Sequence, residues 1–256
     1  MNAAAHLISS LAMERLKVKR TFMVWLAVFA PAFVVAVAFV AGYADGEKFY
    51  SPGINPWINF SEHILAGWSL FIFPIYVSLL SALYAAIEHH NRAWGYIYSL
   101  PVRKSSIYLS KLLVLTAFIA LSHIVLLVFG LGAGQLMGVL KPAYGFQDFA
   151  MPAFTAQACL WMLVCGLGMT VIQLLISLWY ESFIVPAGFG LFATLAGAIA
   201  RSFHISHFSP YLWPFVFLNN TLEVQKWDYS ILSKSFSLYV LGALLSIWAL
   251  GRRNNV

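Results

Sequence analysis

Charged residues are scarce in this sequence. Asp, Glu, Lys and Arg together make up only 9% of its 256 residues, whereas hydrophobic residues make up 61%. Soluble domains carry about 25% charged residues, and a core of this size cannot bury so much apolar surface. Because the surplus must face lipid, we predict an all-α integral membrane protein.

Motifs for catalysis and metal binding are missing as well. No glycine is followed by lysine, so there is no phosphate-binding P-loop, and neither a Gly-x-Ser-x-Gly elbow nor a His-Glu-x-x-His zinc helix occurs. His204 and His207 could share a metal, but no cysteine or acid lies nearby in the sequence to complete a site. The only cysteines, Cys159 and Cys165, would lie about 9 Å apart on one helix, too far for a disulfide. We expect no catalytic site, metal or cofactor on this chain.

Six apolar segments are long enough for membrane helices, which need about 20 residues to cross a bilayer. We predict the spans at roughly 21–43, 63–87, 109–133, 152–179, 183–202 and 230–250. The segments 44–62 and 138–151 carry glycine, proline and charged residues and are predicted to be loops. Residues 203–229 are too polar and broken for a span but too aromatic for a free loop, which favours a partly inserted, re-entrant segment.

The positive charges are distributed unevenly over the two ends of these spans. With the N-terminus inside the cell, about ten lysines and arginines lie on the cytoplasmic side and about five lie outside, as the positive-inside rule requires. We therefore place both termini and the connector 88–111 in the cytoplasm. This topology accounts for the net charge of +6, so the charge does not predict nucleic-acid binding.

Residues 1–20 are predicted to form a weakly amphipathic helix before the first span. Its faces carry different residues: Leu7, Leu11 and Val18 on the apolar face, and Ser10, Glu14 and Lys17 on the polar one. Two interpretations are open, a basic anchor that sets the topology or an interfacial helix lying on the inner leaflet.

The connector 88–111 is rich in basic and aromatic residues. We expect a short helix, broken by Pro101, that lies at the membrane surface and contacts a soluble partner. Glu88 ends an apolar span, where a lone acid has no role in topology. It either pairs with Arg92 four residues later or fixes the angle between the second span and the connector helix.

His123 and Gln173 are polar side chains inside predicted spans. An ionisable group within a span is a functional candidate by default. Each of the two could form a hydrogen bond between helices or line a substrate pathway, and the sequence leaves both interpretations open.

The connector resembles the corresponding part of the type-2 permease family of ABC transporters. In that family an acid closes the second span, a short aromatic helix follows, and a Ser-Leu-Pro-Val-basic motif and a lysine lead into the third span. Here these features are Glu88, Ser99–Lys104 and Lys111. Six spans, a basic N-terminal helix and a broken aromatic segment before the last span also fit. The similarity is greatest to permeases of lantibiotic or bacteriocin immunity and of peptide-antibiotic resistance exporters.

The resemblance implies a role for each part of the chain. Residues 1–20 would be a connector helix on the membrane surface, and 21–256 would form a single six-helix permease domain. The segment near 89–99 would be the coupling helix that docks on a separate ATPase, and 203–229 would be the outer re-entrant segment. The residues implied in ATPase coupling follow one another along the connector: Glu88, Arg92, Trp94, Tyr96, Ile97, Pro101, Arg103 and Lys104.

The implied function is export rather than catalysis. The chain would be the membrane subunit of an ATP-driven exporter in the bacterial cytoplasmic membrane. Its partners would be two ATPase subunits, which bind ATP and magnesium, and a second permease subunit, identical or related. The substrate would be hydrophobic or amphipathic, with a bacteriocin or peptide antibiotic as a candidate.

The alternative is an intramembrane enzyme or a stand-alone membrane sensor. An enzyme is disfavoured because Glu62-His63 and Glu88-His89 would lie about 38 Å apart at opposite ends of one span.

Overall fold

The computed structural model describes residues 3–19, 21–51, 53–91, 95, 102–203, 205–224 and 227–252. Within these ranges all regular structure is helical and no β-strand occurs, which confirms the all-α class. The α-helices are, in chain order, α1 (Ala3–Val18), α2 (Phe22–Phe49), α3 (Pro56–Gly67), α4 (Phe73–His90), α5 (Lys104–Leu140), α6 (Ala153–Trp179), α7 (Ile184–Ser202), α8 (Trp213–Val224) and α9 (Tyr229–Arg252).

In the part of the chain that the structure describes, six helical segments are long and apolar enough to cross a membrane, which confirms the predicted number of spans. They are α2, the continuous α3–α4 unit, α5, α6, α7 and most of α9. The segments differ in the fraction of residues that are buried in their most apolar stretch. This fraction is 61% in α6 and 56% in the α3–α4 unit, but only 22–28% in α2, α7 and α9. The first two therefore form the centre of the bundle, and the other three present most of their surface outward. α9 packs on α6, α7 packs on α4, and both α1 and α2 pack along α5.

The first loop is shorter than the sequence predicted. α2 is kinked at Asp45, where the dihedral angles are not helical (φ −124°, ψ 24°), and a second helical stretch leads from there to Phe49. α3 begins with Pro56, because the first turn of a helix does not need the N–H that proline lacks. Asn55 caps this helix by accepting a hydrogen bond from the Trp57 N–H at 3.0 Å. The predicted loop 44–62 was therefore wrong at both ends.

A π-helical turn (Trp68–Ile72) joins α3 to α4 just before Pro74. Here the Phe73 N–H donates to the Trp68 carbonyl, five residues earlier. A proline inside an α-helix clashes with the carbonyl four residues before it, and the wider turn accommodates this. The second span therefore remains one continuous helical unit through its proline.

Glycines in the second half of α5 allow close packing between helices. A Cβ added at Gly134 would collide with the Trp57 ring, whereas one at Gly132 would meet nothing within 4 Å. The Trp57 indole N–H donates to two backbone carbonyls of the loop after α5, at 3.0 Å each. α5 itself continues to Leu140, so the loop predicted over 138–151 begins later than expected.

The segment 203–229 contains a 3-10 turn (Ser206–Phe208) and the 12-residue helix α8. At 1.5 Å per residue, α8 is about 18 Å long, which is too short to cross a bilayer. Its first turns are buried against the bundle, with Phe217 and Leu218 at 0% and 2% exposure. The expected broken helix is present in the described residues, and its re-entry into the membrane stays a prediction.

Candidate functional site

Four charged side chains meet where α1, the end of α4 and the start of α5 come together. Lys111 donates to Glu88 Oε1 at 2.5 Å and to both carboxylate oxygens of Glu14 at 3.2 Å. Lys17 donates to Glu88 Oε1 at 2.8 Å and to Glu14 Oε1 at 2.9 Å. The Tyr84 hydroxyl donates to Glu14 Oε2 at 2.6 Å. We call Glu14, Lys17, Glu88 and Lys111 the charge cluster.

The charge cluster is buried and electrically balanced. Glu88 and Lys111 are each 1% exposed and Glu14 is 2% exposed, while the side chain of Lys17 retains 29% exposure. Two carboxylates face two ammonium groups, so the net charge is zero. Buried charges persist only when they are paired and hydrogen-bonded. The cluster therefore joins three helices through interactions that are costly to break one at a time.

The helical spacing of α1 explains how it contributes two members of the cluster. Glu14 and Lys17 are three residues apart and lie on one face, which also carries Ser10. Ser10 is 1% exposed, and its hydroxyl donates to the His6 carbonyl at 2.9 Å. The polar face of this helix thus packs against the bundle, while Leu16 is 74% exposed.

The ionisation of the α1 members follows from these contacts. Burial by itself would raise the pKa of Glu14, but Lys111, Lys17 and the Tyr84 hydroxyl outweigh it, and the pKa lies below its ordinary value. Burial would lower the pKa of Lys17, but Glu88 and Glu14 outweigh it, and the pKa lies above its ordinary value. Both groups are therefore held in their charged forms.

The connector residues predicted to contact the ATPase are described only in part. Five of them lie outside the described residues: Arg92, Trp94, Tyr96, Ile97 and Pro101. Arg103 is exposed and immediately precedes α5, and its carbonyl accepts hydrogen bonds from the first turn of that helix at 2.9 and 3.3 Å. Lys104 is the first residue of α5. Both therefore lie about two helical turns before Lys111, a member of the charge cluster.

An acid at the end of a helix is usually exposed to water, and Glu88 is not. It is fully buried rather than solvated, and it is bonded to Lys17 and Lys111. Its second carboxylate oxygen is buried and receives no hydrogen bond from the described residues. The predicted partner Arg92 lies outside them. The contacts of Glu88 with Lys17 and Lys111 were not predicted from the sequence, although the polar face of α1 and the lysine at the start of the third span were available signals.

His123 is a buried residue of α5 that packs against the π-helical turn. The Trp68 indole N–H donates to His123 Nε2 at 3.3 Å, and His123 Nδ1 lies 2.9 Å from the Ile119 carbonyl. Because an indole can only donate, Nε2 is the acceptor and Nδ1 carries the proton. The ring also contacts Phe73 edge-on at 4.8 Å between centroids. A neutral histidine with both nitrogens bonded suits an interhelical contact, and its role in a substrate pathway stays a prediction.

Gln173 joins three segments of the bundle from its position on α6. Its amide N–H donates to the Pro186 carbonyl on α7 at 2.6 Å. Its carbonyl accepts from the Tyr211 hydroxyl, just before α8, at 2.5 Å. The side chain is fully buried and shares no hydrogen-bond partner with His123. The two predicted pathway residues thus belong to separate contacts, and a pathway role for Gln173 stays a prediction.

The described residues contain no group of three or more histidines, cysteines or acids that could hold a metal ion. Cys159 and Cys165 are buried free thiols on α6. Among the two histidines considered for a metal, His207 is described and His204 lies outside the described residues.

The fold and the site define a polytopic α-helical membrane protein with a buried charge cluster at one end of its bundle. Residues 10–197 match the family described as ABC-2 family transporter protein. Because the match covers well over half of the chain, the chain belongs to this family. Membership implies the membrane subunit of an ABC transporter, which normally pairs with an ABC ATPase subunit. Neither the curated proteins nor the solved structures gave a match.

Proposed function

We propose that the charge cluster couples ATP hydrolysis on a partner ATPase to rearrangement of this membrane subunit. The supporting observation is the burial of Glu14, Glu88 and Lys111 in one hydrogen-bonded network at the base of the connector. Glu88 lies at the end of the helix that leads into the connector, and Lys111 lies near the start of the helix that leaves it. Any displacement of the connector therefore reaches both helices and α1 together.

The coupling mechanism follows from the stiffness of this network. When the ATPase dimer closes on ATP, the segment near 89–99 moves with it as a coupling helix. A cluster of buried paired charges resists separation, because each group that leaves it becomes a buried unpaired charge. The ends of α4 and α5 then move as one body, and the halves of the membrane assembly change their relative tilt. ATP binding can favour one of two conformations of the membrane assembly only if the connector transmits the movement of the ATPase to the membrane helices.

The remaining features of the proposal concern topology, composition and substrate. Both termini lie in the cytoplasm of a bacterial cell, α1 is the surface connector helix, and residues 203–229 form the outer re-entrant segment. The complex contains two ATPase subunits and a second permease subunit, identical or related. It exports a hydrophobic or amphipathic substrate, with bacteriocins and peptide antibiotics as candidates. These features are supported by the charge distribution and by the resemblance of the connector.

The first test measures assembly. The tagged chain is purified from native membranes, and the co-purifying proteins are identified and quantified. We expect a P-loop ATPase in equal amount with the wild type and loss of that ATPase when Trp94, Tyr96 and Ile97 are replaced by charged residues. Retention of the ATPase by this variant would contradict the assignment of the coupling helix.

The second test separates coupling from assembly. Ser51 is exposed just after the end of α2, so a Ser51→Cys variant accepts a spin label, while the native Cys159 and Cys165 are buried. Distances between labels in paired permease subunits are measured with and without ATP. We expect Glu88→Gln to retain the ATPase and to lose the ATP-dependent distance change. The matched control is Lys48→Gln, which disrupts an exposed ion pair (2.6 Å) with Asp45. If Glu88→Gln keeps the distance change, the charge cluster does not carry the coupling.

A further inference from the structure

A second feature of α1 lies on the face next to the one that carries Glu14 and Lys17. An open groove of about 410 Å³ runs between α1 and α5. Apart from Arg15 its wall is apolar and consists of Leu11, Val18, Val114, Ala117, Phe118 and Leu121. The α5 residues belong to a membrane span, so the groove faces the acyl region of the bilayer rather than water.

Arg15 is the one charged group among the residues that line this groove. It is exposed and forms no ion pair within the described residues. The neighbouring carboxylates are already occupied, because Glu14 and Glu88 are bonded to Lys17 and Lys111. Over the whole sequence, fifteen lysines and arginines stand against nine acids. The guanidinium is therefore available to an anion from outside the chain.

We propose that this groove is a binding site for one anionic phospholipid, with an acyl chain between α1 and α5 and the phosphate on Arg15. An apolar groove opening beside a cation matches the two parts of such a lipid, and a guanidinium binds phosphate through two parallel hydrogen bonds. The bound lipid holds α1 against α5 beside the charge cluster. This site depends on the chain being a membrane protein and not on the direction of transport or its substrate.

A second groove on the same helix provides an internal control. It has a volume of about 330 Å³ and is formed by Leu7 of α1, residues of α5 and residues of α9. Its lining includes Leu113 and Leu244 and contains no charged residue. If acyl chains alone determined binding, both grooves would take up lipid without regard to its charge. The proposal requires a preference for anionic lipid that is confined to the groove with Arg15.

The experiment uses the purified membrane complex in nanodiscs of phosphatidylcholine containing increasing amounts of phosphatidylglycerol. Retained lipids are counted by native mass spectrometry. We expect the wild type to retain one phosphatidylglycerol with a preference of about fivefold over phosphatidylcholine, as one basic residue near the surface typically contributes. Arg15→Gln should lose this preference. Lys19→Gln removes another exposed cation from the same segment without touching the groove and should keep the preference.

Occupation of the groove is tested separately by filling it. Ala117 is exposed in the groove, so Ala117→Phe should lower retention of the one lipid severalfold, whereas Leu113→Phe in the uncharged groove should not. The melting temperature in detergent without added lipid should be the same for all variants, which shows that each is folded. The proposal is overturned if the wild type retains both lipids equally, if Arg15→Gln and Lys19→Gln lose the preference equally, or if Ala117→Phe leaves retention unchanged.

Discussion

Replacing Lys111 with methionine is expected to destabilise the protein strongly. Lys111 is 1% exposed and lies 2.5 Å from Glu88 and 3.2 Å from Glu14. Methionine fills a similar volume without a charge, so two buried carboxylates would have to share Lys17. Removing one partner from a buried ion pair costs about 3–5 kcal/mol, because the other partner remains buried and unpaired. We expect a loss of that size in the free energy of unfolding.

Two single substitutions calibrate this loss. The side chain of Lys17 keeps 29% exposure, so water partly screens its charges, and Lys17→Met should cost about 1 kcal/mol. Lys48 and Asp45 form an ion pair whose side chains are 74% and 53% exposed, and Lys48→Met should change stability by less than about 0.5 kcal/mol. The three lysines thus rank by the burial of their ion pairs.

A double variant tests whether charge balance is the cause. Combining Lys111→Met with Glu88→Gln leaves Glu14 paired with Lys17, so the remaining cluster is again neutral. The double variant should be more stable than the sum of the two single losses predicts, with a coupling energy of about 1–3 kcal/mol. Simple additivity would show that the two groups contribute independently.

The measurement is thermal unfolding in nanodiscs of one lipid composition, followed by tryptophan fluorescence. For a chain of this length, 1 kcal/mol corresponds to roughly 2–4 °C, so Lys111→Met should lower the melting temperature by on the order of 10 °C. The reasoning is refuted if Lys111→Met melts within about 2 °C of Lys48→Met, or if the double variant shows no coupling.

Three further outcomes are expected. Folding lowers the pKa of Glu14 and raises that of Lys17, so their contribution to stability should be complete between pH 4.5 and 10.5. Melting scans should show that the contribution of Glu14 is lost as the pH falls below 4.5 through its lowered pKa. The contribution of Lys17 should be lost as the pH rises above 10.5 through its raised pKa. Gly190→Ala should cost about 1–3 kcal/mol in the same melting assay, because its Cβ would collide with Ser78 on α4, and an alanine at the uncrowded Gly132 should not. Trp57→Phe should cost about 1–3 kcal/mol, since two carbonyls lose the indole donor, and equal stability would contradict that bonding.

Much of the architecture could be predicted from composition and segment length. A membrane span must satisfy its own backbone hydrogen bonds and present an apolar surface over about 20 residues, so six spans can be counted without tertiary information. Their ends were harder to place. Asp45 and Pro56 resemble loop residues in sequence, yet Asp45 only kinks the α2 segment and Pro56 begins α3, because the first turn of a helix tolerates proline.

Only one member of the charge cluster could be singled out from the sequence. Glu88 is an acid at the end of an apolar run, and the same stretch carries the resemblance to the family. The partners of Glu88 could not be predicted from such local features. Lys17 is 71 residues from Glu88, and Glu14 is 97 residues from Lys111, and helical periodicity relates only residues within a few turns of each other.

The sequence by itself determined that the protein lies in a membrane, that it is helical and how many spans it has. These properties depend on local composition and on the dimensions of the bilayer. The tertiary structure decided which face of α1 turns inward and which charges meet. The polar face of an isolated helix would turn to water, but here Glu14 and Lys17 find countercharges at the ends of α4 and α5. Such pairing requires three helices to be packed at once, and no single segment contains that information.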